Sequence, residues 1–141
     1  MRTTKRLLRK RGKNRPLIKK LADTAWALMS EVVRRTGADK RGFNTCYTCK
    51  IKVHWKESNA SHRWHGALDY DSMNIKNCCV RCNKWLSGNL GLFERHLIEE
   101  YGMEAVKDLE KRAREVKIYT IGELKEIIIL LKNELLLLGK S

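Results

Sequence analysis

Four cysteines are arranged in two Cys-x-x-Cys pairs that could hold one metal ion. Cys46 and Cys49 form the first pair, and Cys79 and Cys82 form the second after 29 intervening residues. Each pair directs two thiolates at one point, and zinc in structural sites takes four ligands in a tetrahedron. Because four thiolates close the coordination sphere, the spacing predicts a structural Zn²⁺ ion. Cys78 is expected to pack as a neighbouring thiol, although it could replace Cys79 at a poorer spacing.

The segment between the pairs, HWKESNASHRWHGALDYDSMNIKNC, contains residue types that could hydrolyse a phosphodiester. It has three histidines, two aspartates and several asparagines. Such hydrolysis needs a base that activates water and a cation that stabilises the departing oxygen. Histidine has a suitable pKa for the first role. Oxygen ligands from Asp, Asn or Ser suit Mg²⁺ in the second role.

The charge of the chain predicts a polyanionic partner. The net charge is +14, and residues 1–41 hold 14 lysines and arginines against 3 acidic residues. A basic segment on a nearly balanced body is typical of electrostatic binding to a phosphate backbone. We expect nucleic acid as the partner, with Arg6, Arg9, Lys10 and Arg11 among its contacts. The alternative is a soluble protein that is merely basic.

The helices and strands that must position these residues can be predicted from helix-start residues and from the spacing of apolar residues. We predict an arm over residues 1–15 and a helix from Pro16 to about Arg35, because proline suits the first turn of a helix. Short β-like stretches, IKVHW and ALDY, lie between the cysteine pairs. After Asn89 the pattern is helical, and Thr120 with Glu123 has the spacing of a capping box at the start of the last helix.

The last helix carries a wide apolar surface. Its residues at spacings of three and four resemble the seam of a short coiled coil, which predicts a homodimer of about 33 kDa, twice the 16.5 kDa chain. The alternative is that this helix packs on the core of its own chain. The seam positions are Ile121, Leu124, Ile128, Leu131, Leu135 and Leu138.

Cysteine usage and hydropathy predict the compartment. Five cysteines in two groups are not a secreted disulfide framework. No signal peptide is recognised, and the most apolar stretch, EIIILLKNELLLL, is too short and too charged to span a bilayer. We therefore expect a cytoplasmic protein with no membrane partner.

Several of these motifs together resemble the HNH, or ββα-metal, nucleases whose hairpin is held by a four-cysteine zinc. The cysteine spacing and the Asn after the last cysteine are similar to those of the endonuclease VII resolvases. The strings HWKESNASHRWHG, MNIKNCCVRCNKWLSGN and HLIEEYG resemble still more the phage NinG, or Rap, recombination nucleases. The resemblance covers about residues 43–120.

The resemblance implies roles for individual residues. His62 matches the general base, Asn74 matches the middle Asn that organises the loop, and Asn83 matches a helix-borne ligand of Mg²⁺ or Mn²⁺. Ser61 stands where many of these enzymes have a metal-binding aspartate. His65, or less readily Asp69 or Asp71, could complete the site, but His65 can face His62 only if the chain turns near Gly66.

The same residues could instead have purely structural roles. His62 could be a surface histidine, His65 a structural residue, Asn74 a turn residue and Asn83 a helix cap. Trp64 and Trp85 are expected in the core rather than on a base-stacking surface.

The resemblance also implies an architecture and an activity. The fold would be α+β, with an arm and helix (1–42), a zinc-clasped HNH-like core (43–90) and a helical extension for dimerisation (91–141). The activity would be metal-dependent cleavage of branched DNA or recombination intermediates, such as Holliday junctions and D-loops, in a phage-infected bacterial cell. Arg63, Lys84 and the basic arm would hold the DNA. The alternatives are a non-catalytic zinc module that binds nucleic acid, and a structural partner that acts through its last helix.

Overall fold

The chain combines helices with small antiparallel sheets. The computed structural model describes the backbone of residues 2–139 and the side chains of residues 14–139. The helices are α1 (Arg2–Arg35), α2 (Leu90–Tyr101), α3 (Met103–Ala113) and α4 (Ile121–Gly139). The strands are β1 (Phe43–Thr45), β2 (Lys52–His54), β3 (Asn59–His62) and β4 (Ile75–Cys78), and a short π-helix spans Arg81–Trp85. This mixed content agrees with the expected α+β class.

The first helix begins earlier than predicted. It was expected to begin at Pro16, but α1 begins at Arg2 and Pro16 lies inside it. Residues 5–11 are all Lys, Arg or Leu, which are good helix formers. The loss of one backbone hydrogen bond at Pro16 does not stop the helix. The segment predicted as an arm therefore continues the helix, and the side chains of Arg6, Arg9, Lys10 and Arg11 lie outside the described residues.

The strands form two separate hairpin-like pairs. β1 pairs antiparallel with β2, and β3 pairs antiparallel with β4 so that His62 lies opposite Ile75. The prediction of a strand in IKVHW is confirmed for Lys52–His54. The prediction of a strand in ALDY is wrong, because these residues form turns in the loop between β3 and β4. A side-chain oxygen of Asp69 accepts the backbone N–H of Gly66 there, which favours a turn over a strand.

Two apolar cores lie on either side of the β3–β4 pair. The first surrounds the cysteines and is closed by Phe93 and Leu97 of α2 and by Val106 and Leu109 of α3. The second lies between α1 and α4 and includes Ile75 of β4. The strand pair is therefore held between the cysteine region and the long helices.

The apolar seam of the last helix packs within the same chain. The predicted capping box is confirmed, since the Thr120 hydroxyl accepts the Glu123 backbone N–H at 3.1 Å and α4 begins at Ile121. Seam residues of α4 are buried against α1 in clusters made by Leu124, Ile128, Leu131, Ala25, Met29 and Val32. The opposite face of α4 remains exposed at Ile129, Leu130, Leu136 and Leu137. The partner of the seam is thus α1, and the predicted dimer would need the exposed face.

None of the helices in the described part of the chain combines the length and the apolar character that crossing a bilayer requires.

Lysine substitutions on the two faces of α4 should have opposite effects. Ile128 is 8 % exposed and Leu130 is 62 % exposed. We expect Ile128→Lys to unfold the protein, because burying an unpaired ammonium costs several kcal/mol, which is a large part of the stability of a domain. Leu130→Lys should keep the wild-type melting temperature within a few degrees in thermal denaturation followed by circular dichroism. A folded Ile128→Lys protein would contradict the α1–α4 packing.

The same pair of variants tests the dimer. Light scattering of the wild type at micromolar concentration should give about 33 kDa, twice the chain mass of 16.5 kDa. Leu130→Lys should then give the mass of one chain, because a charge on the exposed apolar face opposes pairing. A wild-type protein that scatters as one chain rules out the dimer without affecting the packing of α4 on α1.

Candidate functional site

The four paired cysteines lie together in space. The sulfur atoms of Cys46, Cys49, Cys79 and Cys82 all lie within 4.8 Å of one another, and those of Cys49 and Cys79 are 3.7 Å apart. A tetrahedron with Zn–S bonds of about 2.3 Å has sulfurs about 3.8 Å apart. The donor type, number and spacing therefore fit a zinc ion. All four positions are taken by thiolates, as in a structural site.

Hydrogen bonds to the sulfurs agree with thiolate ligands. Cys46 Sγ accepts the backbone N–H of Cys79 at 3.3 Å and lies 3.3 Å from the Thr48 hydroxyl. The Asn89 side-chain amide donates to Cys82 Sγ at 3.6 Å. Such donors stabilise the charged form of a thiol. These hydrogen-bond donors belong to the protein itself, so the sulfurs have them whether or not a metal ion is bound.

Cys78 lies next to the cluster but is not one of its four members. It is fully buried, and the neighbouring Cys46 thiol, together with burial, raises the pKa of the Cys78 thiol. Cys78 and Thr48 in turn lower the pKa of Cys46. Cys78 is therefore a neutral thiol beside the cluster. This arrangement agrees with the expectation of a packed neighbouring thiol.

His62 ends β3 in a cleft formed with α1. Its ring stacks on Trp26 with centroids 4.3 Å apart and an interplanar angle of 22°. The cleft has a volume of about 450 Å³ and is lined by Ala22, Asp23, Trp26, His62, His65, Asp69 and Tyr70. Burial lowers the pKa of His62, and His65 lowers it further, while Asp69 acts in the opposite direction. His62 is therefore held as a neutral imidazole near pH 7.

The ring nitrogen of His62 is available for chemistry. Nε2 is buried and has no hydrogen-bond partner among the described residues. Its nearest ionic neighbour is Asp69 Oδ1, at 3.6 Å, which is longer than a normal hydrogen bond. A buried polar atom without a partner calls for an explanation, and a catalytic role is one that applies to a histidine.

The side chain of His65 lies next to that of His62. The strand ends at His62, and Gly66 adopts a positive φ of 102° in the following turn. The two imidazole rings consequently lie 4.7 Å apart between centroids. The turn near Gly66 that this meeting requires is thus present.

Asn74 holds the loop that carries His65 and Asp69. Its side chain is fully buried. Its amide donates to the carbonyls of Trp64 at 2.7 Å and Leu68 at 3.0 Å, and its side-chain oxygen accepts the Trp64 N–H at 2.9 Å. All polar atoms of the Asn74 side chain are thus used to fix backbone. This is the loop-organising position that the resemblance assigns to it.

Ser61 and Asn83 lie in different surroundings from His62. Ser61 is 2 % exposed and lies on the opposite face of β3 from His62. Asn83 lies in the π-helix, where its backbone N–H donates to the Cys79 carbonyl at 3.0 Å. Its side chain makes no hydrogen bond within the described part of the chain, so its amide oxygen is available to a ligand. Neither residue lines the cleft of His62.

The two aspartates of the loop have different partners. Asp69 faces His62, whereas Asp71 pairs with Arg112 of α3 at 2.9 Å and accepts the Met73 N–H. Asp71 therefore holds the loop to α3. Of the two, Asp69 is the one that the structure places beside the histidines.

The two basic residues predicted near the core differ in exposure. Arg63 is 13 % exposed, lies 3.9 Å from the Trp64 ring centroid and pairs with Glu94 at 3.6 Å. Its charge is thus already matched within the chain. Lys84 is exposed on the π-helix and makes no ion pair with any described residue. Lys84 is therefore the freer of the two to meet a phosphate.

Sequence reasoning missed the contribution of α1 to this site. Trp26 and Asp23 line the cleft of His62, yet both read from the sequence only as parts of an amphipathic helix. Trp26 lies beside the apolar stripe of that helix, which is the single weak signal it offered. Trp85, expected in the core, is 81 % exposed.

Comparison with a family model identifies the chain. The model described as Bacteriophage Lambda NinG protein matches residues 2–140. The chain belongs to the NinG family. Comparisons with curated proteins and with solved structures found no match. NinG membership places the protein in a bacteriophage family related to recombination, in agreement with the resemblance found in its motifs.

Adjacent cysteines of this NinG-family protein should respond differently to the same substitution. Cys79→Ala removes one of the four clustered thiolates, so we expect loss of bound zinc and of near-ultraviolet circular dichroism. Cys78→Ala removes only the neutral neighbouring thiol, so about one zinc per chain should remain in a moderately destabilised fold. Elemental analysis of both proteins measures the metal. Zinc that survives Cys79→Ala but not Cys78→Ala would contradict the assignment.

The stacking of Trp26 should lower the pKa of His62 by keeping water away. NMR titration without added divalent cations should show His62 titrating below the ordinary value of about 6.5. Trp26→Ala should raise this pKa, and Trp26→Phe should restore most of the shift. Because protonation is disfavoured in the folded state, stability should fall as the pH decreases from 6.5 towards the lowered pKa. An unchanged His62 titration in Trp26→Ala would show that Trp26 does not control it.

Proposed function

We propose that the protein is an HNH-type, metal-dependent endonuclease that cleaves branched DNA during phage recombination. The observation that carries the proposal is the buried, unpartnered Nε2 of His62 at the end of a β-hairpin whose loop is fixed by Asn74. The order β3, loop, β4 and short helix supports a ββα-metal core. The four-cysteine cluster holds the second strand and the helix at a fixed position.

His62 would act as the general base. Its lowered pKa keeps the imidazole neutral at pH 7, so Nε2 can accept a proton from the attacking water. That water forms the new P–O bond as the bond to the 3′ oxygen breaks. A bound Mg²⁺ or Mn²⁺ would supply positive charge to the departing oxygen. Asp69 Oδ1, 3.6 Å from the same Nε2, would stabilise the imidazolium that forms.

The donors available for this cation are few. The cysteine cluster is the only group of three or more ligating His, Cys, Asp or Glu side chains that converge among the described residues. Mg²⁺ is commonly held by one or two carboxylates together with waters and substrate phosphates. A set made by Asp69, His65 and the phosphate fits this pattern, whereas Asn83 lies outside the cleft. Ser61, which is buried against Cys78, is a poor candidate.

The basic charge of the chain would hold the DNA. The net charge of +14 favours any polyphosphate, and Lys84 is exposed and unpaired among the described residues. Two cuts on opposed strands of a junction would come from two active sites, which a twofold dimer supplies. The setting would be the cytoplasm of an infected bacterial cell.

One observation favours a second candidate function. The sparse oxygen donors near His62, with Ser61 in place of an aspartate and turned away, also suit a zinc module that binds nucleic acid without cutting it. Such a protein would keep the cysteine cluster and the basic surface and would have lost the cation site.

The substitution His62→Ala tests the proposal against this alternative. We expect cleavage of a four-way junction in Mg²⁺ or Mn²⁺ to fall by about 10²-fold or more, with junction affinity nearly unchanged. His54→Ala is the matched control, since His54 packs edge-on against Phe43 and has no part in the proposed site. Linear duplex of equal length measures the preference for branches. Binding without cleavage by the wild type in either metal would support the module.

A further inference from the structure

Trp85 is exposed to an unusual degree. It ends the π-helix Arg81–Trp85 and is 81 % exposed, whereas Trp26, Trp55 and Trp64 are partly buried. Tryptophan is among the most buried side chains on average, and it carries more apolar area than any other. Leaving it in water forgoes the favourable burial of a large apolar surface. A single exposed apolar residue is common on protein surfaces, so the surroundings of the ring decide what it could bind.

Two cations lie on the same short helix as the exposed ring. Arg81 and Lys84 belong to the same π-helix, are exposed, and make no ion pair with any described residue. Acidic residues do not occur between Asp71 and Glu94, and Glu94 is engaged with Arg63. An aromatic face with unpaired positive charges on the same short helix is complementary to a nucleobase with its phosphates. An apolar protein surface without acidic residues would be a poor match for this face, because it would leave the two cations unpaired.

The backbone beneath the ring is held in place. Cys82, in the same π-helix, is a member of the four-sulfur cluster. The Leu86 N–H donates to the Arg81 carbonyl at 2.9 Å, and the Gly88 N–H donates to the Cys82 carbonyl at 2.9 Å and the Asn83 carbonyl at 3.1 Å. A surface anchored in this way loses little conformational entropy on binding.

We propose that Trp85 is a stacking platform for an unpaired nucleobase, with Arg81 and Lys84 on the adjoining phosphates. The inference rests on the proposed function in that its ligand is nucleic acid. It adds a source of substrate preference, because a continuous duplex keeps its bases stacked and paired while a branch point or single strand offers free bases. Stacking is tolerant of base identity, so the platform selects structure rather than sequence.

Binding of a forked DNA and of a fully paired duplex of equal length tests the platform. The titrations use wild type, Trp85→Phe and Trp85→Ala without added Mg²⁺ or Mn²⁺, so that no cleavage intervenes. We expect Trp85→Ala to lose about tenfold in affinity for the fork and little for the duplex, with Trp85→Phe close to wild type. Val116→Ala, which truncates another exposed apolar side chain in the connection between α3 and α4, is the control and should bind both DNAs normally.

Salt dependence separates stacking from charge. Trp85→Ala should leave the slope of log affinity against log salt unchanged, whereas Arg81→Ala and Lys84→Ala should each flatten it by about one unit. Oligothymidylate should quench the fluorescence of the wild type more than that of Trp85→Phe. Equal quenching in both proteins would show that the ring does not meet a base.

The outcomes distinguish the platform from the nuclease. If Trp85→Ala binds the fork as tightly as wild type does, or loses affinity for fork and duplex equally, the platform is overturned. This holds even if cleavage is intact. Fork preference that depends on Trp85 in a protein that never cleaves overturns the nuclease and keeps the platform. A protein that binds neither DNA overturns both. A change in light-scattering mass on Trp85→Ala, with unchanged DNA binding, would assign the ring to a protein interface instead.

Discussion

The convergence of four sulfur atoms determines how the central part of the chain is arranged. Cys46 and Cys49 belong to the turn after β1, Cys79 directly follows β4, and Cys82 lies in the π-helix. Strands of three or four residues in two-stranded sheets are not stable alone. Thiolates this close repel one another unless a cation neutralises them, so binding of a metal ion by these sulfurs would be coupled to the folding of this region. The cluster joins the two strand pairs where little apolar surface is available to do so.

The position of His62 depends on both apolar cores. β4 ends at the cysteine cluster, and its first residue, Ile75, packs with Met29, Val32 and Leu131 of the long helices. Ile75 lies directly opposite His62 in the strand pairing, and α1 supplies the ring that stacks on His62. Loosening either core would therefore displace the histidine or expose it to water. This dependence explains why a helix distant in sequence contributes to the site.

The sequence contained the parts of the site that follow from local spacing. The Cys-x-x-Cys pairs, the Thr120–Glu123 cap and the periodicity of the last helix each act over a few residues, and each is present in the structure. Features decided by packing were not accessible. Which surface would meet the seam of α4, that Trp26 would cover His62, and that Trp85 would stay in water all depend on contacts between distant segments. The start of α1 was predicted too late because Pro16 was interpreted as the first turn of the helix, although residues 5–11 are all good helix formers.

Helix α1 connects the charged end of the chain to the proposed catalytic histidine. Its backbone is helical from Arg2 to Arg35, so fifteen residues separate Arg11 from Trp26. At about 1.5 Å per residue this separation is on the order of 22 Å, which is less than one turn of duplex DNA, about 34 Å. One DNA molecule could therefore lie against the basic end of α1 and reach the cleft of His62. Under the proposed function, the helix that shields the base from water also sets the distance between the place where DNA is held and the place where it is cut.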